Sequence, residues 1–165
     1  MKIDTSLTVL VVDDYKAIRS VLSALLKKIG FTSLKEAEDG QQAWEIVQQG
    51  GIDFVISDWT MPNMRGIDLL RAIRSSQEHR HLPFMIVTAE KSLDYVVEAV
   101  QEGVSEYMFK PFNGEVLEEK ITNVFKKMSA PSCPAPATVP PELTPGNWLD
   151  RHVYTLDPRN YEIID

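Results

Sequence analysis

Between residues 7 and 128, five short apolar runs alternate with five stretches of helical period, and no other feature narrows the choice of fold so far. The runs are Leu7 to Val12, a weaker and more charged one over Ser33 to Ala37, Phe54-Val55-Ile56, Phe84-Met85-Ile86-Val87, and Glu106 to Phe109. Runs without polar alternation suit strands covered on both faces, whereas charge in the second run suits an edge. Ile18, Val21, Leu22, Leu25, Leu26 and Ile29 recur on one face of a 3.6-residue period, with Lys27 and Lys28 in the last turn and Gly30 as the stop. Later helices are predicted over Gln41 to Gln49 with Ala43, Ile46 and Val47 inward, and around Ile67, Leu70 and Ile73. Two more follow, one through Leu93, Val96, Val97 and Val100 between Ser92 as N-cap and Gly103, and one through Leu117, Ile121, Val124 and Met128 after an Asn113 cap. Strand and helix in strict alternation imply right-handed crossovers, hence an α/β fold with a parallel sheet and helices on both faces.

The 165 residues are 44% hydrophobic and 25% charged, a globular balance. No apolar run approaches the roughly 20 residues that span a bilayer. Met1-Lys2-Ile3-Asp4 opens no apolar signal region, so a cytoplasmic location is expected. The single cysteine, Cys133, has no partner for an intrachain disulfide, in keeping with a reducing compartment. A net charge of -7 argues against nucleic acid as a partner and for proteins or small anions held with a metal. His79-Arg80-His81, just before Pro83, reads as a solvated loop rather than a metal site.

Composition changes at Ser129. Pro131, Pro134, Pro136, Pro140, Pro141 and Pro145 mark an extended linker over residues 129–146, after a first unit of residues 1–128. Residues 147–165 form a short amphipathic segment. It reads either as a two-turn helix showing Trp148, Leu149, His152, Val153 and Leu156, or as a hairpin across Asp157-Pro158-Arg159-Asn160. Neither would stand alone in water, so docking on this chain or a neighbour is expected, and the oligomeric state stays open. This region, with Arg151 and Arg159 against Glu142, Asp150, Asp157, Glu162 and Asp165, offers no DNA-reading helix-turn-helix.

Parallel strands place their carboxyl ends on one rim, where open α/β sheets bind ligands. The ends here are Asp13-Asp14, Asp58, Thr88 and Lys110. Asp58, directly after a buried run, is the first candidate, although with Pro62 close behind it also fits the start of a turn. Carboxylates about 5 Å apart would repel by roughly 3 kcal/mol per pair at an effective dielectric near 20. A divalent cation offsets that, and Mg²⁺ fits because it takes one or two carboxylates and leaves room for phosphate oxygens. With Lys110 and the Thr88 hydroxyl facing the same rim, the equipment is that of phosphoryl transfer, and a carboxylate can itself accept the group as an acyl phosphate.

The stretches Val11-Val12-Asp13-Asp14, Glu36-Ala37-Glu38-Asp39-Gly40, Val55-Ile56-Ser57-Asp58-Trp59, Met61-Pro62-Asn63-Met64, Val87-Thr88-Ala89-Glu90 and Lys110-Pro111-Phe112 carry a resemblance to the receiver domains of two-component response regulators, nearest to the chemotaxis type. The resemblance covers about residues 5 to 128 and implies a doubly wound, flavodoxin-like sheet of order 2-1-3-4-5. It implies Asp58 as the phosphoacceptor, loaded from a phosphohistidine on a sensor histidine kinase. Asp13 and Asp14, completed by Asp58 and the main-chain carbonyl of Thr60, would hold Mg²⁺. Lys110 would contact the phosphoryl group and precede a cis peptide bond to Pro111. Thr88 and Tyr107 would form a switch pair, the hydroxyl moving to the phosphoryl group and the ring turning inward. A partner face including Lys91, Tyr95, Val96, Tyr107 and Lys120 would receive a flagellar motor switch protein or another target, and a phosphatase is a further implied partner.

Three residues depart from that pattern. Thr60 stands where the nearest relatives carry asparagine, Glu90 lies two residues after Thr88, and Arg65 replaces the usual aspartate before Gly66. The first two flank the path of an attacking water, and the third changes charge beside the site. The leading expectation is a single-domain chemotaxis-type regulator that signals by phosphorylation-dependent protein binding. The alternatives are a receiver serving as phosphate sink, dimer or adaptor through its C-terminal segment, and a phosphohydrolase with an aspartyl-phosphate intermediate. The last lacks a second acid two residues after Asp58.

Overall fold

The computed structural model describes residues 3–129. The linker and the amphipathic segment expected beyond Ser129, and Cys133, lie outside the described residues. The elements follow in the order β1 (Thr8–Val12), α1 (Lys16–Ile29), β2 (Ser33–Ala37), α2 (Gly40–Gln48), β3 (Phe54–Ser57), α3 (Gly66–Ser75), β4 (Phe84–Thr88), α4 (Leu93–Gln101), β5 (Glu106–Phe109) and α5 (Gly114–Ser129). The strands form one parallel sheet of order β2-β1-β3-β4-β5, so the doubly wound α/β reading holds.

Because successive strand side chains point to opposite faces, each apolar run feeds two cores. Val9, Val11, Phe54, Ile56, Met85, Val87 and Met108 pack with Leu22 and Leu26 of α1 and Leu117, Ile121 and Val124 of α5. Leu10, Val12, Val55, Phe84, Ile86 and Tyr107 pack on the other side, against Ala43 and Val47 of α2, Ile67, Leu70 and Ile73 of α3, and Val96 and Ala99 of α4. Only β2, at an edge, leaves Lys35 and Glu36 exposed.

Several expected inward positions are not inward. Val21 is 49% exposed, Leu93 41% and Met128 54%, so the apolar arcs of α1, α4 and α5 are wider than the faces they bury. Caps differ too. Ser92 makes no side-chain capping bond, whereas the Asn113 carboxamide oxygen accepts from the Val116 amide at 2.9 Å. The unexpected cap is Asp39, which accepts from the Gln42 amide at 2.8 Å and starts α2 at Gly40. Gly30, at φ 125°, closes α1 in the left-handed region that favours glycine.

Candidate functional site

The register of the central strands builds the rim. Val12 pairs with Ser57 and Thr88 with Phe109, so the residues that follow β1, β3 and β5 emerge together. Main-chain bonds continue past the strands: Asp58 N–H donates to Val12 C=O at 2.9 Å, Asp13 N–H to Ala37 C=O at 3.2 Å, and Lys110 N–H to Thr88 C=O at 2.8 Å. The candidate carboxylates therefore stand on fixed backbone.

Asp13, Asp14 and Asp58 each offer an oxygen within 4.8 Å of the others. Asp13 and Asp58 are buried and Asp14 is exposed, so the cluster opens to solvent on one side. The Lys110 ammonium donates to Asp13 Oδ2 at 2.8 Å and to Asp58 Oδ2 at 3.3 Å. Asp13 Oδ1 accepts from the Tyr15 amide at 2.9 Å, and Asp58 Oδ1 from the Trp59 amide at 2.7 Å. Burial pushes the Asp58 carboxyl above its ordinary value, and the charge of Asp13 adds to that push against the opposing pull of Lys110. Burial alone would draw the Lys110 ammonium down. The two carboxylates outweigh it and hold Lys110 above its usual range. Three hard oxygen donors with an open side fit a divalent cation.

Thr88 is buried at the end of β4, and its hydroxyl accepts from the Glu90 amide at 3.1 Å. Thr60 lies exposed in the loop two residues after Asp58. That loop is fastened at its far end by Gly66, whose amide donates to Trp59 C=O at 2.9 Å. A Cβ on Gly66 would stand 1.9 Å from the Asp58 carbonyl oxygen, so only glycine fits against the acceptor's own peptide. The Lys110-Pro111 bond is cis. Arg65 does not direct its charge into the site but pairs with Asp68 at 2.9 Å.

The expected partner face divides. Lys91 is exposed and Tyr95 half-buried, but Val96 belongs to the core and Lys120 is only 3% exposed. Lys120 lies 3.4 Å from Glu106, a carboxylate buried at the start of β5, and its place on a docking surface is corrected accordingly. A helix position expected on the partner face turns inward because a buried acid on the adjoining strand requires a cation. The Tyr107 ring is already inside, 3% exposed and edge-on to Phe109 at 5.2 Å.

Two neighbours of the site escaped the sequence reading. Trp59 stacks on Tyr95 at 4.7 Å, linking the residue after Asp58 to α4. Arg19, buried in the first turn of α1, donates to Asp13 C=O at 2.7 Å. Its partners Glu36 and Glu38 lie in and just past the edge strand, where charge reads as solvated, so no local spacing announces it.

A doubly wound sheet with an acidic cleft and a lysine on its carboxyl rim defines a class of signalling domain. The family model described as the response regulator receiver domain matches residues 9–122, and the chain belongs to that family. Within it the chain is of the chemotaxis type. It is 45% identical over 121 residues to the chemotaxis protein CheY of Pseudomonas aeruginosa, covering 73% of this chain and 98% of that one. It is 40% identical over 126 residues to chemotaxis protein CheY-3 of Vibrio cholerae serotype O1, covering 76% and 97%. The chemotaxis response regulator CheY4 of Vibrio cholerae superposes with a TM-score of 0.67 at 32% identity, over 73% of this chain and 99% of that one.

Proposed function

We propose that Asp58 is the phosphoacceptor of a cytoplasmic regulator loaded by a sensor histidine kinase. The observation that carries this reading is the Asp58 carboxylate beside Lys110 at 3.3 Å, in a cluster whose oxygens lie within 4.8 Å of one another. An Asp58 oxygen attacks the phosphorus of the phosphohistidine, the P–N bond breaks, and its electron pair stays on the imidazole nitrogen, which takes up a proton. Lys110 turns from the carboxylates toward the phosphoryl oxygens, where its charge stabilises the transferring group. The Thr88 hydroxyl donates to the same group once it has left the Glu90 amide. When bound to Asp13, Asp14, Asp58 and the Thr60 carbonyl, Mg²⁺ supplies charge neutralisation for the phosphoryl oxygens. Hydrolysis reverses the modification: water attacks phosphorus and the P–O bond to Asp58 breaks. Thr60 and Glu90 border that approach and set the lifetime of the signal.

The added charge biases a two-state surface around α4, β5 and α5, with Thr88 and Tyr107 as the internal pair and Lys91 and Tyr95 presented outward. A flagellar motor switch protein is the proposed target and a phosphatase the proposed terminator. Incubating wild type and Asp58→Ala with a small phosphodonor and Mg²⁺ tests the central step. Incorporation should be confined to wild type and abolished by a chelator; equal labelling of both proteins would overturn the assignment.

A further inference from the structure

Asp14 poses a problem of aim. Its carboxylate is exposed, and among the described residues no hydrogen bond or ion pair holds that side chain. Asp13, by contrast, is engaged at both carboxylate oxygens and at its amide. With no partner of its own, the Asp14 carboxylate is located only through its Cα–Cβ bond, so whether one of its rotamers reaches the cluster depends on the backbone. The plane that matters is the Asp13–Asp14 peptide, because the Asp13 carbonyl and the Asp14 amide are one rigid unit.

That carbonyl is gripped from behind by Arg19, 6% exposed, at 2.7 Å. The rest of the guanidinium is spoken for. Nε donates to Glu36 at 3.2 Å and Nη2 to Glu38 at 3.4 Å, while Ser23 holds the other Glu36 oxygen at 3.0 Å. One planar fork thus joins the start of α1 and the end of β2 to the peptide that carries the acidic pair. Such a fork fixes orientation as well as position, which a lysine ammonium does not.

We infer that Arg19 is a positioning residue for divalent-cation binding: by fixing the Asp13–Asp14 peptide it keeps the Asp14 Cα–Cβ bond aimed so that the otherwise unsupported carboxylate can reach a small cation. This rests on the cation reading above. The geometry matters because Mg²⁺ tolerates little departure from octahedral coordination, so a small rotation of this peptide moves an Asp14 oxygen out of range.

Charge and aim make opposite demands, which allows a clean test. Arg19 is a cation near an acidic cluster, so electrostatics alone predicts that removing it strengthens cation binding. Positioning predicts that it weakens binding. Mn²⁺ titration, followed by the electron paramagnetic resonance of the free ion, should show binding weakened about tenfold in both Arg19→Gln and Arg19→Lys, the range found when groups that orient metal ligands are removed. In the metal-free proteins, hydrogen exchange at the Asp13 and Tyr15 amides, which flank the gripped peptide and donate to Ala37 C=O and Asp13 Oδ1, should be faster in Arg19→Lys than in wild type, with the midpoint of global unfolding little changed. Wild-type affinity in Arg19→Lys, tighter binding in Arg19→Gln, or unchanged exchange at both Asp13 and Tyr15 would overturn the inference. Failure of Arg19→Lys to fold would overturn it in favour of a structural role. If wild type itself bound no Mn²⁺, the cation reading would fall as well; binding by wild type and variants alike removes only Arg19.

Discussion

At the level of single residues, the site is a cluster of like charges tolerated for the sake of what it binds. Asp58 is buried beside Asp13, and its carboxyl is displaced upward chiefly by loss of solvent. A carboxyl that titrates higher in the folded chain than in the unfolded one lends stability that is full below the unfolded value, about 3.9, and lost as pH rises through the folded value. At neutral pH the ionised Asp58 is therefore a net cost in the absence of metal. Asp58→Asn removes that cost while Lys110 keeps Asp13 at 2.8 Å. In a chelating buffer at pH 7 the variant should unfold roughly 3 °C above wild type, and the gap should close toward pH 4. Adding Mg²⁺ should narrow or reverse it, since a ligand stabilises only the form that binds it. Thermal scans across pH, with and without Mg²⁺, check all three statements; a variant less stable at pH 7 in chelator would contradict the assigned cost.

Among the elements, the loop from Trp59 to Gly66 shows how secondary structure is recruited to hold a site. Asp39 caps α2 and also accepts from the Asn63 side chain at 2.6 Å, while the Gly40 amide donates to Met64 C=O at 3.1 Å. Asn63 sits at φ 64°, a conformation an Asn tolerates better than most residues. One acid therefore fixes both the start of a helix and the loop that leaves Asp58. Asp39→Ala should cost about 1 kcal/mol, the usual cost of losing a cap. Amide exchange should rise at Gln42 and through Asn63 and Met64 together; a rise at Gln42 alone would show that the loop is held by other means. Helices were legible because their apolar periods run for two turns or more, and strands because each short apolar run stands between two such periods or beside one. The faces were over-read, since counting Val21 and Met128 as inward measures apolar content, not the width of sheet each helix must cover. Asp39 went unread as a cap because its chemistry is also that of an ordinary turn.

For the whole molecule, the strand-end candidates Asp13, Asp14, Asp58, Thr88 and Lys110 were legible in the sequence because parallel topology converts four distant strand ends into one rim. Strand order was not legible in the alternation itself and came only with the family likeness. Contacts that cross elements were invisible for a related reason: Arg19 to Asp13 C=O and Lys120 to Glu106 depend on which helix lies over which strand, a matter no local spacing records. The same topology says what the region beyond α5 is not needed for. Among the described residues both cores are built from residues up to Phe125, and every rim residue named lies at or before Lys110. A chain ending at Ser129 should thus keep the wild-type unfolding midpoint within about 2 °C and the same Mg²⁺-dependent labelling of Asp58, since it retains every core residue named above. The sequence reading expects residues 147–165, joined by the Pro-rich stretch 129–146, to dock on this chain or a neighbour. What truncation should change is association: the mass in sedimentation or the affinity for a target. Phosphorylation lost on truncation would make the segment part of the site, and identical mass and binding would remove its proposed docking role.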